Sequence, residues 1–401
     1  MRGRRLRLSM AVLTAALAVS LAVSLAVLTA GCGEDEGDDG GGGGEPVKIG
    51  AIVSLTGPYA TLGEPEKNVL EAEVKKINDA GGANGHPIEL IIEDDATDDA
   101  KAVAAASKLI EQDGVVAIIG STGTAATMAV RGDIDRAGIP QVSMAGGTVI
   151  TNPVDPLVFA TPWSNLIVAP FTLSFMKDQG IDTVALISDS GGFGKDGQAV
   201  VTQAAPDAGI EIVADETFNP GDTDFSAQLT NMKKSGADAF LVWTAGPEAA
   251  AIVKAIKDLG IEVPVYGSHG NARVEFIEGA GDAAEGFRFA AGKVLLPETY
   301  GEGTEGYEVA TAFIDDYTAA FGSAPSTFAG HAYDALYIIA DAIGRVDGDV
   351  TPEALRDAIE QTSGWVGIGG TFTFSPEDHN GLTQDDLTMY EIADGAWTQA
   401  Q

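Results

Sequence analysis

From about residue 47 onward, the chain alternates between amphipathic segments and short apolar runs. Six amphipathic segments end at a glycine, and a short, mainly apolar run follows each one. The glycines are Gly114, Gly138, Gly180, Gly209, Gly236 and Gly260, and the runs are residues 115–119, 139–143, 183–188, 210–214, 239–243 and 263–266. Glycine suits the left-handed position that closes a helix. Short apolar strands are typical of parallel sheets covered on both faces.

The amphipathic segments have the 3.6-residue period of helices, as in Leu70, Val74 and Ile77. Strands alternating with such helices predict an α/β fold with parallel sheets. The longest interval between these glycines contains four closely spaced prolines between residues 153 and 170. We predict that the chain crosses there between two α/β lobes, and crosses again near residues 290–297 and 374–376. The predicted hinged clamshell has residues 47–160 and 291–374 in one lobe, and residues 161–290 and 375–401 in the other.

Residues 1–31 have the layout of an export signal, because four arginines and no acid precede an apolar run of residues 11–30. An uncleaved membrane anchor is the alternative, since the run is long for a signal. Small residues precede Cys32, the only cysteine. This stretch resembles the lipobox of bacterial lipoproteins, although Leu28 lies four residues before the cysteine rather than three. The resemblance implies cleavage before Cys32, acylation of its thiol and an extracytoplasmic protein anchored to the cell membrane.

Composition and charge exclude several classes of protein. Residues 33–45 contain only Gly, Glu and Asp, which predicts a flexible, self-repelling tether over residues 32–46. The whole chain has 23 Lys+Arg against 59 Asp+Glu and a net charge of −36, which argues against nucleic-acid binding because duplex affinity comes mainly from basic side chains. The hydrophobic fraction of 45% is too high for a disordered polyanion. One cysteine permits no internal disulfide.

Motifs for catalysis, cofactors and metals are absent or weak in the sequence. Residues 192–197 match G-x-G-x-x-G, but glycine-rich strand–helix turns are common in α/β proteins, so we interpret them as a structural turn. There is no G-x-S-x-G elbow, and the four histidines are scattered. The acids within residues 93–99 lack the glycine and glutamate of an EF-hand, and we interpret them as helix-start charges. We therefore expect no enzyme activity, no cofactor and no metal.

Residues 49–59 resemble the first strand and turn of the substrate-binding proteins of branched-chain amino-acid-type ABC transporters. Further segments resemble the family in the same order along the chain. They are residues 77–82, 93–96, 118–120, 224–226, 246–248 and 283–286. The resemblance implies a type I periplasmic-binding-protein fold, with two Rossmann-like lobes and three hinge crossovers. It implies a monomeric protein that captures a small organic solute, an amino acid or related carboxylate or amide, for a membrane permease. A binding protein that feeds a signalling partner is the alternative.

A ligand of such a protein lies between the lobes, at the carboxyl ends of the strands. Two loops of the first lobe reach this place, after the strands at residues 115–120 and 139–143. Free amides and hydroxyls at a helix start suit a carboxylate, although helix capping alone would explain the same residues. The family usually has a threonine at the position of Gly147, so we expect a backbone contact there. The candidates are Ser121, Thr122, Gly123, Thr124, Ala145, Gly146 and Gly147.

Four larger side chains complete the predicted site. Tyr59 lines the pocket or packs half-exposed, Phe193 matches an aromatic position that helps cover the ligand, and Trp243 lies in the wall or in the core. His269 stands where amino-acid binders of this family carry an acid. A neutral imidazole cannot replace a carboxylate as an ammonium partner. If His269 faces the ligand, we expect a carboxylate or amide without an α-ammonium; orienting its loop is its alternative role.

Overall fold

The structure, a computed structural model, describes residues 44–401. The predicted export signal, the acylated Cys32 and most of the acidic tether lie outside the described residues. Within residues 44–401, no helix is both long enough and apolar enough to cross a membrane. The strands of this part form two large sheets and one short ribbon.

The first lobe is built on a five-stranded parallel sheet with the order β2-β1-β3-β4-β5. Its strands are β1 (Val47–Val53), β2 (Ile88–Asp94), β3 (Ala117–Gly120), β4 (Gln141–Ser143) and β5 (Val158–Ala160). The connecting helices are α1 (Ala60–Asp79), α2 (Asp99–Lys108), which continues as a π-helical turn at Leu109–Asp113, and α3 (Thr124–Ala137). A late segment returns to this lobe, where α10 (Thr327–Arg345) packs along α1. This late segment also includes α9 (Glu305–Phe321), α11 (Pro352–Glu360) and a ribbon of β11 (Trp365–Val366) and β12 (Thr371–Phe372).

The second lobe is built on a seven-stranded sheet with the order β14-β13-β10-β9-β8-β6-β7. Its strands are β6 (Thr183–Asp189), β7 (Glu211–Phe218), β8 (Ala239–Trp243), β9 (Val265–Gly267), β10 (Arg288–Gly292), β13 (Leu387–Ala393) and β14 (Ala396–Gln399). Its helices are α4 (Asn165–Asp178), α5 (Gly192–Ala204), α6 (Ser226–Ser235), α7 (Glu248–Asp258) and α8 (Val274–Ala280). The chain passes between the sheets after β5, after β10 and again between β12 and β13.

The alternation of helices and parallel strands is confirmed. All six helix-closing glycines have positive φ angles, between 59° and 81°, because only glycine adopts this conformation without a steric penalty. One feature was not predicted: β13 and β14 run antiparallel beside β10 and close one edge of the second sheet. The interiors of β6 and β8 are fully buried, which explains why these strands are apolar throughout rather than alternating.

Candidate functional site

A cavity of about 400 Å³, including its mouth, lies between the two lobes at the carboxyl ends of their strands. Loops that follow β1, β3 and β4 form one wall, and loops that follow β6, β8 and β9 form the other. The predicted residues in these walls are Tyr59, Thr122, Gly123, Thr124, Ala145, Gly146, Phe193 and His269.

The start of α3 presents bare backbone to the cavity. Gly123 is the N-cap residue, with extended backbone, and Thr124 is the first helical residue. The ring of Tyr59 lies over Gly123, where a β-carbon would be only 3.1 Å from the ring. The Thr124 side chain is 3% exposed, and its hydroxyl has no hydrogen-bond partner among residues 44–401. A helix start with a free hydroxyl can bind an anionic group.

The neighbouring Thr122 is held by a buried acid behind the loop. Its hydroxyl donates to Glu66 at 2.5 Å and accepts from the Ser54 amide at 3.0 Å. Burial raises the pKa of Glu66 well above its usual value. Thr122 therefore reaches the cavity while its hydroxyl is engaged in fixing the loop.

Two glycines of the loop after β4 make very close approaches, Gly146 to the second lobe and Gly147 to the start of α3 in the first lobe. A β-carbon on Gly146 would lie 2.5 Å from Nε2 of His269, and one on Gly147 would lie 2.3 Å from the methyl of Thr124. Carbon atoms at these separations would overlap their neighbours. The absence of side chains at these two positions is therefore what lets the loop pack between α3 and His269.

The opposite wall is formed by side chains of the second lobe. His269 opens a short turn after β9 and is 6% exposed. The ring of Phe193, from the first turn of α5, meets it edge-on with 5.1 Å between ring centroids. Neither nitrogen of His269 makes a hydrogen bond of good geometry within residues 44–401, although the backbone carbonyl of Trp163 lies close enough to the ring to favour its charged form. Burial lowers the pKa of His269 to about 3, so the imidazole is neutral near pH 7.

A second histidine in the wall, His331, was missed by sequence reasoning. It lies on α10, is 3% exposed, and its Nδ1 has no partner within the described part of the chain. Burial, with a smaller contribution from nearby His269, lowers its pKa to about 3. The buried face of α10 carries the apolar period of a core helix, so periodicity alone could not distinguish this position. Leu62, Met144 and Phe328 add apolar surface to the cavity.

Three predicted residues do not form part of the wall. Ser121 is fully buried, and its hydroxyl donates to the carboxylate of Asp95 behind the loop. Gly147 packs against Thr124, as described above. Trp243 is 0% exposed and donates from Nε1 to Asn165 at 3.1 Å. All three lie behind the wall and support it, because neighbouring residues of the same loops face the cavity instead.

The same packing explains the glycine pattern of residues 192–197. A β-carbon on Gly194 would lie 2.4 Å from Asp189, and one on Gly197 would lie 1.9 Å from Nε1 of Trp243. The glycines are required where α5 packs closely on the ends of β6 and β8. The prediction of a structural turn is thus supported by contacts that leave no space for side chains.

The acidic cluster at residues 93–99 divides between two structural roles. Asp98 caps α2 by accepting from the amides of Ala100 and Lys101, as predicted. Asp94 instead accepts from the amides of the loop after β1, and Asp95 from the hydroxyl of Ser54 at 2.6 Å. Among residues 44–401, no group of His, Cys, Asp or Glu side chains is arranged to hold a metal ion.

Charged groups of the second lobe lie near the mouth of the cavity. Burial, then Asp189 and Glu248, raise the pKa of Tyr59. Arg273 is 3% exposed, and burial lowers its pKa to about 10. It donates to the carbonyl of Gly246 at 3.1 Å and to that of Gly270. Arg273 thereby joins the loops that follow β8 and β9.

The two lobes are in direct contact around the cavity. The Thr148 amide of the first lobe donates to Asp196 on α5 at 2.8 Å, and the Asn165 side chain donates to the same oxygen at 2.7 Å. A β-carbon on Gly192 would lie 2.8 Å from the backbone nitrogen of Ala125. This is a closed arrangement, in which the starts of α3 and α5 touch.

Comparisons with known proteins agree on one family. A model described as "Periplasmic binding protein" matches residues 46–396. The leucine-, isoleucine-, valine-, threonine- and alanine-binding protein of Pseudomonas aeruginosa is 28% identical over 86% of this chain and 90% of the relative. The Leu/Ile/Val-binding protein homolog 3 of Brucella melitensis is 31% identical over 62% of this chain and 67% of the relative.

Solved structures show the same architecture. The branched-chain amino acid transporter substrate-binding protein of Streptococcus pneumoniae, in complex with isoleucine, has a TM-score of 0.79 and 28% identity, covering 89% of this chain and 99% of that one. An extracellular ligand-binding receptor from Rhodopseudomonas palustris has a TM-score of 0.83 and 28% identity, covering 89% and 100%. These likenesses confirm the predicted two-lobed α/β fold, which is that of type I periplasmic binding proteins.

Proposed function

This chain belongs to the periplasmic binding protein family, in its branched-chain amino-acid type, and we propose that it is the substrate-binding protein of an ABC importer. It captures a small organic solute, an amino acid or a related carboxylate or amide, between its two lobes. It then delivers the solute to a membrane permease. The relatives are binding proteins, and we propose binding without turnover.

One observation carries the proposal: the cavity is enclosed by both lobes and has a helix start on one side. The start of α3 offers backbone amides and the free hydroxyl of Thr124 to an anionic group. The opposite wall supplies Phe193 and His269. A ligand that contacts both walls stabilises the closed form, since it has a differential affinity for the two arrangements.

The export signal and Cys32 complete the proposed function. Acylation of Cys32 would hold the protein on the outer side of the cell membrane, and the acidic residues up to position 45 would let the two lobes reach a permease. Replacing Cys32 by alanine should move the protein from the membrane fraction to the soluble exported fraction. A Cys32→Ala protein that stays in the membrane fraction would contradict the lipid anchor.

The binding proposal is tested by a thermal-shift screen of the purified protein. The panel contains amino acids, aliphatic and aromatic carboxylates, amides and polyols. A true ligand at 100 times its dissociation constant should stabilise the protein by about 2.7 kcal/mol. A panel in which nothing raises the melting temperature would contradict the proposed role in solute capture. Turnover of a bound ligand, followed by mass spectrometry, would show an enzyme instead.

A further inference from the structure

One end of the cavity is built from two neutral histidines. His269 comes from the second lobe and His331 from α10 of the first, and both line the same cavity. Among the described residues, the wall contains no Asp, Glu, Lys or Arg side chain. The polar character of this end therefore comes from imidazole nitrogens and backbone groups, without a formal charge.

Several buried polar atoms of the wall have no partner within residues 44–401. They are Oγ1 of Thr124, Nδ1 of His331 and the ring nitrogens of His269, of which one at most can be served by the nearby carbonyl of Trp163. Buried polar groups in proteins are nearly always hydrogen-bonded, because leaving one unpaired costs the desolvation of that group without any compensating bond. Three side chains that are each at least nine-tenths buried and share one cavity indicate a ligand that satisfies them together.

The nearest charged groups lie outside the cavity wall. Oδ1 of Asp189 accepts from the amide of Gly191 at 2.9 Å, whereas its buried Oδ2 has no hydrogen-bond partner within residues 44–401. Glu248 accepts from the amide of Gly221 at 2.7 Å. Arg273 is committed to the carbonyls of Gly246 and Gly270. None of these charged side chains belongs to the cavity wall as the structure describes it. An ammonium group at the histidine end would therefore be buried without an anionic partner, which is strongly unfavourable.

A neutral imidazole offers one hydrogen-bond donor and one acceptor. Its natural complement is a neutral group that can both accept and donate, such as a hydroxyl, or accept alone, such as a carbonyl. The start of α3, at the other wall, complements a carboxylate. Leu62, Met144 and Phe328 complement an apolar body.

We propose that the ligand is a small carboxylate with a hydroxyl or carbonyl in place of an α-ammonium, held there by His269 and His331. Its carboxylate lies at the start of α3, and its apolar part lies against Leu62, Met144 and Phe328. The inference rests on the proposed function and narrows its substrate class from amino acids and related compounds to 2-hydroxy and 2-oxo acids.

Matched pairs of ligands test the inference in the unmodified protein. Calorimetry compares alanine, leucine and phenylalanine with the 2-hydroxy and 2-oxo acids that carry the same side chains. We expect the hydroxy or oxo acid to bind at least tenfold more tightly than its amino acid in the pair of best-fitting size. Tighter binding of the amino acid would overturn the inference and leave the solute-capture proposal standing. Binding of amides or polyols alone would also overturn the inference and leave the solute-capture proposal standing. No binding in the whole panel would contradict the solute-capture proposal itself.

A charge-introducing variant then tests the role of His269. His269→Glu should shift the ratio of affinities toward the amino acid by at least tenfold, because the new carboxylate can pair with an ammonium. His86→Glu is the matched control, since His86 lies away from the cavity and contacts the carbonyl of Glu45. An unchanged ratio in a folded His269→Glu protein would overturn the assignment of this side chain. If that variant does not fold, the test uses His269→Gln, which should keep the preference for the hydroxy acid. The ratio of affinities for the hydroxy acid and the amino acid is then compared between His269→Gln and the unmodified protein.

Discussion

The two walls of the cavity are built in different ways. Around the start of α3 and the loop after β4, the first wall presents mainly backbone, at Gly123 and along Ala145 and Gly146, whereas the histidine end presents the side chains of Phe193, His269 and His331. Backbone amides at a helix start serve any ligand with an anionic end. A side chain distinguishes one ligand from another by its charge and hydrogen-bonding groups. The start of α3 therefore determines whether an anionic ligand binds, and the histidine end, with Phe193, determines which one.

The residues that hold the two walls in place from behind also differ in their chemistry. Behind the first wall, buried acids fix loop hydroxyls, as Glu66 does for Thr122 and Asp95 for Ser121. Behind the second, Arg273 holds backbone carbonyls. Substitutions at the start of α3 should thus weaken all ligands alike, and substitutions of Phe193, His269 or His331 should change preference.

The largest effect is expected at Gly123. A valine there would place carbon atoms against Tyr59 and into the cavity, since even a β-carbon would be 3.1 Å from the tyrosine ring. Gly123→Val should weaken every ligand at least 100-fold in calorimetry. Its φ of −105° accepts a side chain without strain, so the melting temperature should change little. Gly132→Val, on the exposed side of the same helix with nothing within 4 Å, is the control. Unchanged affinity in Gly123→Val would remove this loop from the site.

A smaller loss is expected where the two walls meet. Gly146→Ala places a β-carbon 2.5 Å from Nε2 of His269, so the lobes can no longer close fully. We expect about tenfold weaker binding, equivalent to about 1.4 kcal/mol. The double variant with His269→Ala should bind about as well as His269→Ala alone, because the main clash is then gone and only a tight 3.0 Å contact with the carbonyl oxygen of Trp163 is left. Additive losses in calorimetry would show that Gly146 and His269 act independently.

The loops at the strand ends were more predictable from sequence than the contribution of α10. A strand that ends before a helix start places residues such as Gly123 and Thr124 at a sheet edge by local rules alone. His331 obeys no such rule, since it lies on a core helix and enters the cavity only through the packing of α10 on α1. Trp243 ends its strand at the correct edge, yet the close approach of Gly197 covers it. Which side of a loop faces a ligand depends on contacts distant in sequence.

The neutral histidine end makes stability sensitive to acid. His269 and His331 have pKa values of about 3 in the folded protein, below the usual value of about 6.5 in an unfolded chain. The unfolded state therefore binds more protons between these values, and stability falls as pH decreases from about 6.5 toward 3. Replacing either histidine by glutamine should reduce the slope of the free energy of unfolding against pH in this window, by at most about 1.4 kcal/mol per pH unit. Urea unfolding at several pH values measures this slope. An unchanged slope in both variants would mean that the two histidines are already protonated in the folded protein within this pH window.

The smallest effect on binding is expected at Trp243, which supports the second wall without touching the cavity. Trp243→Phe removes the hydrogen bond from Nε1 to Asn165 and leaves a buried acceptor without its donor. The expected cost is about 1 kcal/mol of stability, seen in urea unfolding, while affinity for the best ligand stays within about twofold. Phe193→Ala provides the contrast, because it removes a ring that lines the cavity and should lower affinity more than stability. A tenfold loss of affinity in Trp243→Phe at unchanged stability would mean that the indole contacts the ligand. Trp243 would then line the cavity rather than support its wall.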